Sequence, residues 1–163
     1  MIVPIKYLPK NITKKDKKII VNELKKSRKA YKKKSYYTRK QISSYKSKPS
    51  QHILNVKKIY NLDKLVINSN LSKKTGCSIN SLRKIVNKGQ GAYYSSGSRP
   101  NQTSHSWGLA RLASSISGGK ASAVDYKILE QGCSKSSKAL KLAKKARIKY
   151  KFGTRRVKKT KFL

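Results

Sequence analysis

Apolar positions recur every three to four residues along several separate stretches of this chain, the spacing that gives a helix one greasy face. The first stretch predicts a helix from about Lys14 to Lys33, with Ile20, Leu24 and Tyr31 in a stripe among lysines. Thr13 stands where an N-cap belongs, and Asp16 three residues on completes a capping-box pattern and complements the helix dipole. Such a helix either docks its stripe on a core or lies directly on phosphates. From Ser35 to Pro49 no period survives, and the text of Tyr, Ser, Lys and Arg predicts an extended linker. Its tyrosines either pack inward or stack on bases. Ser50 then caps a second helix carrying Ile53, Leu54, Val56, Ile59 and Tyr60.

Between Leu65 and Gly89 the pattern is short helix, glycine turn, second helix, as in a helix-turn-helix. Gly76 permits the left-handed backbone that ends the first helix, and Ser78 caps the second. Ile79, Leu82, Ile85 and Val86 make the predicted buried face. Asn80, Ser81, Arg83, Lys84 and Asn87 face outward, where a groove-reading helix would carry its contacts. Helix corners of this kind also occur in all-helical proteins with no such role.

From Gly89 to Thr103 glycines, serines and Pro100 predict an ordered loop held by Arg99, Asn101 and Gln102. The Walker pattern is absent and no strand precedes the loop, so phosphate cradling is the weaker reading. Thr103 or Ser104 caps the next helix, whose Trp107 is expected to be buried among Leu82, Ile85, Leu109 and Leu112. Gly118 and Gly119 stop it. Ser122 to Asp125 reads as another capping box, with Val124, Ile128 and Leu129 on one face and a stop at Gly132. Ala139, Leu142, Ala143 and Ala146 form the stripe of a last, basic helix from Ser134 to Tyr150, and Gly153 to Lys161 reads as a flexible basic tail. The fold class expected is therefore all-α: a small helical domain with a helix-turn-helix-like element (50–134), between a basic arm (1–49) and a basic C-terminal helix and tail (135–163).

Charge sharpens this picture. The 163 residues hold 42 Lys and Arg against 5 acids, a formal net charge of +37. Self-repulsion of that size opposes a compact state unless a polyanion is at hand. Nucleic acid is the partner expected, DNA ahead of RNA, because each neutralised phosphate releases a condensed counterion. By region the basic count is 17 in residues 1–49, 8 in 50–88, 4 in 89–134 and 13 in 135–163, so the ends carry most of it.

The candidate nucleic-acid-binding residues follow that distribution. In the N-terminal arm they are Lys25, Lys26, Arg28, Lys29, Lys32, Arg39 and Lys40. The middle supplies Arg83, Lys84, Lys88 and Arg99, and the C-terminal part Lys141, Lys145, Arg147, Arg155 and Arg156.

Other classes are poorly served. No apolar run approaches the roughly 20 residues of a membrane span, and no acylation or prenylation signal is visible, so membrane insertion is not expected. The start of the chain lacks the apolar core of a signal peptide, so export is not expected either. Cys77 and Cys133 leave a disulfide open, with a reducing compartment as the default and no metal-site spacing. Asp16, Glu23, Asp63, Asp125 and Glu130 are scattered, whereas a two-metal nuclease needs its carboxylates clustered. His52 and His105 lack a Cys or Asp at ligand or triad spacing, and no nucleophile elbow appears. The expectation is a non-enzymatic protein with no cofactor and no small-molecule substrate.

One further signal lies in the text from Gly89 to Lys120. Gly-Ala-Tyr-Tyr-Ser-Ser-Gly-Ser-Arg-Pro-Asn-Gln-Thr, then Ser-Trp-Gly-Leu-Ala-Arg-Leu-Ala-Ser and Gly-Gly-Lys-Ala, resembles a family of small basic proteins of nucleocytoplasmic large DNA viruses, with shorter relatives in tailed phages. The resemblance extends upstream through Thr75-Gly-Cys-Ser and Leu82-Arg-Lys-Ile-Val-Asn-Lys-Gly and into the Lys-rich ends. Gly91, Arg99, Pro100, Trp107, Arg111 and Ala113 match it and read first as fold-defining. It implies a viral source and, by analogy, a place in the virion interior or the host cytoplasm or nucleus. Charge neutralisation in genome packaging is the leading functional expectation. An internal or minor capsid protein is the alternative, and a ribosomal-type RNA-binding protein the third.

Overall fold

The computed structural model describes residues 1–154 and 156–162. They form eight α-helices: α1 (Lys14–Lys32), α2 (Gln51–Ile59), α3 (Ser69–Thr75), α4 (Ile79–Ser95), α5 (Ser104–Ile116), α6 (Lys120–Val124), α7 (Tyr126–Gly132) and α8 (Lys138–Lys149). One two-stranded antiparallel sheet pairs β1 (Ile2–Pro4) with β2 (Lys159–Lys161), Val3 lying opposite Thr160. The protein is thus mostly helical, as the periodicity predicts. Residues 159–161, expected to be a flexible tail, are instead a strand, and the backbone N–H of Ile5 extends the pairing to the Lys158 carbonyl at 3.0 Å.

The chain divides into two compact units that do not follow its linear order. The first comprises Met1–Lys48, Gln90–Trp107 and Arg156–Leu163, and the second Pro49–Gly89 and Gly108–Arg155. Residues 1–48 therefore carry a core of their own rather than hanging as an arm.

The second unit is built on an apolar cluster that includes Val56, Leu71, Leu82, Ile85, Leu112, Ile116 and Leu129, each almost fully buried. The helix-turn-helix-like corner forms as the local text predicts. Gly76 closes α3 with a left-handed φ of 75°, a conformation that costs a residue with a Cβ. The Ser78 hydroxyl accepts the Ser81 N–H at 3.2 Å and so caps α4. Ser81 itself, expected to face outward, is buried against Gly132, with its hydroxyl 2.9 Å from that of Ser78. Cys77 and Cys133 are disulfide-bonded across a short antiparallel bridge, flanked by the Ser78 N–H on the Gly132 carbonyl and the Ser134 N–H on the Gly76 carbonyl, each 2.8 Å. Where α4 meets α5, a Cβ on Gly89 would lie 2.7 Å from the Cα of Gly108, so only glycine allows this approach.

Gly89 to Ser95, expected to be a loop, continues α4; the irregular segment begins only at Ser96. Of the two glycines there, Gly89 serves the close crossing just described, while a Cβ on Gly91 would meet nothing. The capping box expected at Ser122–Asp125 does not form. Ser122 donates its hydroxyl to the Ser114 carbonyl at 3.0 Å, and Asp125 is buried against Arg111.

The first unit has a smaller cluster, with Val3, Tyr7, Leu8, Ile12, Ile20, Val21, Leu24 and Ile42 buried. Trp107, expected in the other core, packs here, edge-on to Tyr7 at 6.4 Å, and is only partly buried. Helix geometry gives the reason. Trp107 lies five residues before Leu112, about 140° round the α5 axis at 100° per residue, so the two cannot share a face. Tyr31, placed on the α1 stripe, is exposed.

Candidate nucleic-acid interface

Three of the five acids are turned inward and fully engaged. Asp16 accepts the Ser44 backbone N–H at 3.0 Å and its hydroxyl too, and these bonds hold its carboxyl below the usual range. Thr13 caps α1 by accepting the Asp16 N–H at 3.1 Å, but the carboxylate reaches Ser44 rather than closing the box. Burial alone would raise Glu23, yet hydrogen bonds from the Lys40 N–H (2.8 Å), the Tyr37 hydroxyl (2.8 Å) and Lys26 (3.4 Å) outweigh it and depress the carboxyl. Asp125 takes a bidentate bond from Arg111 (2.7 and 2.9 Å) and one from the Ser115 hydroxyl at 3.1 Å, with Lys88 at 3.7 Å. Asp63 and Glu130 are exposed. The lysines and arginines, by contrast, mostly stand in solvent.

On α1, Lys25, Lys29 and Lys32 are exposed and lie on one side of the helix at i, i+4 and i+7, with Lys26 beside them. Arg28 is half-buried and donates Nε to the Ser96 carbonyl at 2.9 Å. Arg39 is a correction to the expected contact set. Its guanidinium donates to the Tyr93 carbonyl (2.6 Å), Ser27 Oγ (2.9 Å) and Ser98 Oγ (2.8 Å), and lies 3.7 Å from the Tyr93 ring centroid. Burial lowers its pKa, and those bonds leave the group a structural clamp. Lys40 is exposed, although its N–H is committed to Glu23.

Elsewhere the picture is divided. Arg83 and Lys84 are exposed on α4, and Lys88 is exposed while reaching back toward Asp125. Arg99 is exposed on the 96–103 segment, which Asn101 and Gln102 hold as expected: Asn101 bonds the backbone of Ile42 and Tyr45, and Gln102 accepts the Ser106 hydroxyl at 2.7 Å. Lys141 and Lys145 share a face of α8 and are exposed, but Arg147 is half-buried between the rings of Tyr126 (4.3 Å) and Phe152 (4.8 Å). Arg156 is exposed, and Arg155 lies outside the described residues.

Two features of the first unit take shape only in the fold. An open cavity of about 360 Å³ is lined by Lys10, Lys14, Lys17 and Lys161, with Leu8, Thr160 and Phe162 completing its wall. Exposed Tyr36 stands between Tyr31 and Tyr94. The local text left the tyrosines of 35–49 open between packing inward and stacking on bases; it marks neither the cavity nor the pairing of Tyr36 with Tyr94, since each joins segments distant in the chain. Among the described residues no group of His, Cys, Asp and Glu is placed to hold a metal, and no helix is long and apolar enough to cross a membrane.

Residues 4–141 match the family of unknown function DUF5824. The chain belongs to that family. No curated protein and no solved structure matches it. In this DUF5824 protein the matched span takes in α1 to α7, so the cationic side of α1, the Arg39 clamp and the Asp125 hub all lie within it. Lys145, Arg147, Arg156 and strand β2 lie beyond it.

Proposed function

We propose that this DUF5824 protein is a non-enzymatic nucleic-acid binder that neutralises phosphate charge, with DNA ahead of RNA, in the packaging of a viral genome. The observation that carries this reading is the unequal fate of the two charge signs. Asp16, Glu23 and Asp125 are buried and hydrogen-bonded, while Lys25, Lys29, Lys32, Arg83, Lys84, Lys141 and Lys145 are exposed. The outward-facing charge is therefore even more one-sided than the composition. A polyanion supplies what such a surface lacks, and phosphates spaced along a strand release counterions as each cation approaches.

The test is a salt titration of binding by the full chain, purified in high salt and freed of carried-over nucleic acid. If six to ten phosphates are engaged, affinity for DNA falls roughly 10³–10⁵-fold between 50 and 200 mM salt. Absence of binding at low salt, or binding indifferent to salt, overturns the reading. Salt-resistant retention with capsid shells would instead favour the internal structural protein.

A further inference from the structure

The first unit carries a row of tyrosines whose exposure its fold does not explain. Tyr36 is 71% exposed. Its ring centroid lies 5.1 Å from that of Tyr94 and 6.4 Å from that of Tyr31, with the rings inclined at 51° and 55°. Tyr31 is itself 38% exposed.

The backbone builds this row. At the end of α1 the N–H groups of Lys33 and Ser35 both reach the Ala30 carbonyl, and that of Lys34 reaches Tyr31. Lys34 takes a left-handed φ of 58°, and the chain reverses so that Tyr36 comes back beside Tyr31. Tyr37, the next residue, goes the other way and donates its hydroxyl to Glu23, as alternation along an extended segment requires. Tyr94 is fixed from behind: the buried Tyr93 ring meets it edge-on at 5.1 Å, and its hydroxyl bonds Ser104 at 3.1 Å. The row is anchored on one side and open on the other.

The exposed charged residues that flank it in sequence are all cationic. Lys29, Lys32, Lys33, Lys34 and Lys40 are exposed on the flanking residues. The acidic side chains in the sequence of this unit are Asp16 and Glu23, and both are buried. An exposed aromatic face beside unneutralised lysines is what a strand with free bases needs, since bases stack on rings and phosphates pair with cations. A duplex offers the phosphates but keeps its base faces inside the stack.

We propose that the Tyr31–Tyr36–Tyr94 row is a stacking platform for single-stranded nucleic acid, with Lys32 and Lys34 gripping the adjoining phosphates. The inference rests on the nucleic-acid reading above and deepens it, because it assigns a strand preference and the residue that sets it. Tyr36, the most exposed ring, takes the base. Tyr31 and Tyr94 hold it in place and extend the surface.

The experiment compares the affinities of the full chain for an unstructured oligothymidylate and for a duplex of equal phosphate number, using wild type, Tyr36→Ala, Tyr36→Phe and Lys32→Ala. Tyr36→Ala is expected to lose about 5- to 150-fold in affinity for the single strand, the range for one stacked base, with duplex affinity and salt slope unchanged. Tyr36→Phe keeps the ring and retains binding. Lys32→Ala weakens both ligands and flattens the salt slope. In a strand carrying 5-iodouracil, ultraviolet cross-linking is expected to map to Tyr36. If Tyr36→Ala binds the single strand as wild type does, or loses single strand and duplex equally, the platform is overturned while the nucleic-acid reading stands. If neither ligand binds the wild-type chain, that reading falls and takes the platform with it.

Discussion

The two units reach order by different means. In the second, seventeen apolar and cysteine residues among those described are buried in one cluster, joined by a disulfide and by the half-buried Arg111 on the buried Asp125. In the first the corresponding cluster holds eight among the described residues, few for ordering the long irregular segments that belong to it. Polar side chains do that work instead. Asp16 and Glu23 bind the backbone of Ser44 and Lys40, Arg39 binds the Tyr93 carbonyl, and Asn101 bonds the backbone of Ile42 and Tyr45 at 2.8–3.1 Å. A unit held this way needs its few carboxylates inside, and so leaves its surface to lysine. The same economy of apolar residues that limits its core also makes it the better electrostatic surface.

The comparison breaks most easily at Asp125. Asp125→Ala strands Arg111 and the Ser115 hydroxyl, and because the guanidinium keeps some access to water the cost expected is about 3 kcal/mol, the low end for a broken buried pair. Hydrogen exchange reads the units separately, and protection lost from α5 to α7 before α1 is the outcome expected. A loss below about 1 kcal/mol would mean that the apolar cluster suffices alone.

The next effect concerns the disulfide. Cys77 and Cys133 are 56 residues apart, and cross-links over loops of this order contribute about 2–4 kcal/mol. Reduction, or Cys77→Ser with Cys133→Ser, should lower the melting temperature and loosen the amides at Gly76–Ser78 and Gly132–Ser134. Unchanged melting would show that the hydrogen bonds flanking the bridge already hold those turns together.

The smallest effect belongs to the first unit and to acid. Asp16 and Glu23 have folded pKa values below their unfolded ones. Their contribution is therefore complete above the ordinary carboxylate value of about 4 and is lost as pH falls through the depressed folded values. Acid titration followed by hydrogen exchange should open residues 35–48 in that window. Glu23→Gln should flatten the dependence, because a group that does not titrate adds no slope.

Much of the architecture was legible. α1, the turn at Gly76, the stop at Gly118 and the basic helix α8 all stand close to where periodicity and caps place them. The site was less so. Exposed lysines on α1, α4 and α8 fall where expected, but Arg39 and Arg147 are packed on rings, which neither the Tyr-rich linker nor the Lys-rich helix around them announces. Deleting residues 1–49 would remove most of a folded core rather than a counterion arm.

By itself the sequence determined the charge imbalance and what depends on neighbours a turn apart: the helical segments and several of their caps. Only the tertiary structure decided what depends on residues far along the chain. It joined 1–48 to 90–107, paired Cys77 with Cys133, and drew Asp125 from an expected cap into a buried hub. It also turned Tyr37 inward and Tyr36 outward. A residue's partners across the fold set its desolvation and its hydrogen bonds, and nothing in a local window records which partners those will be.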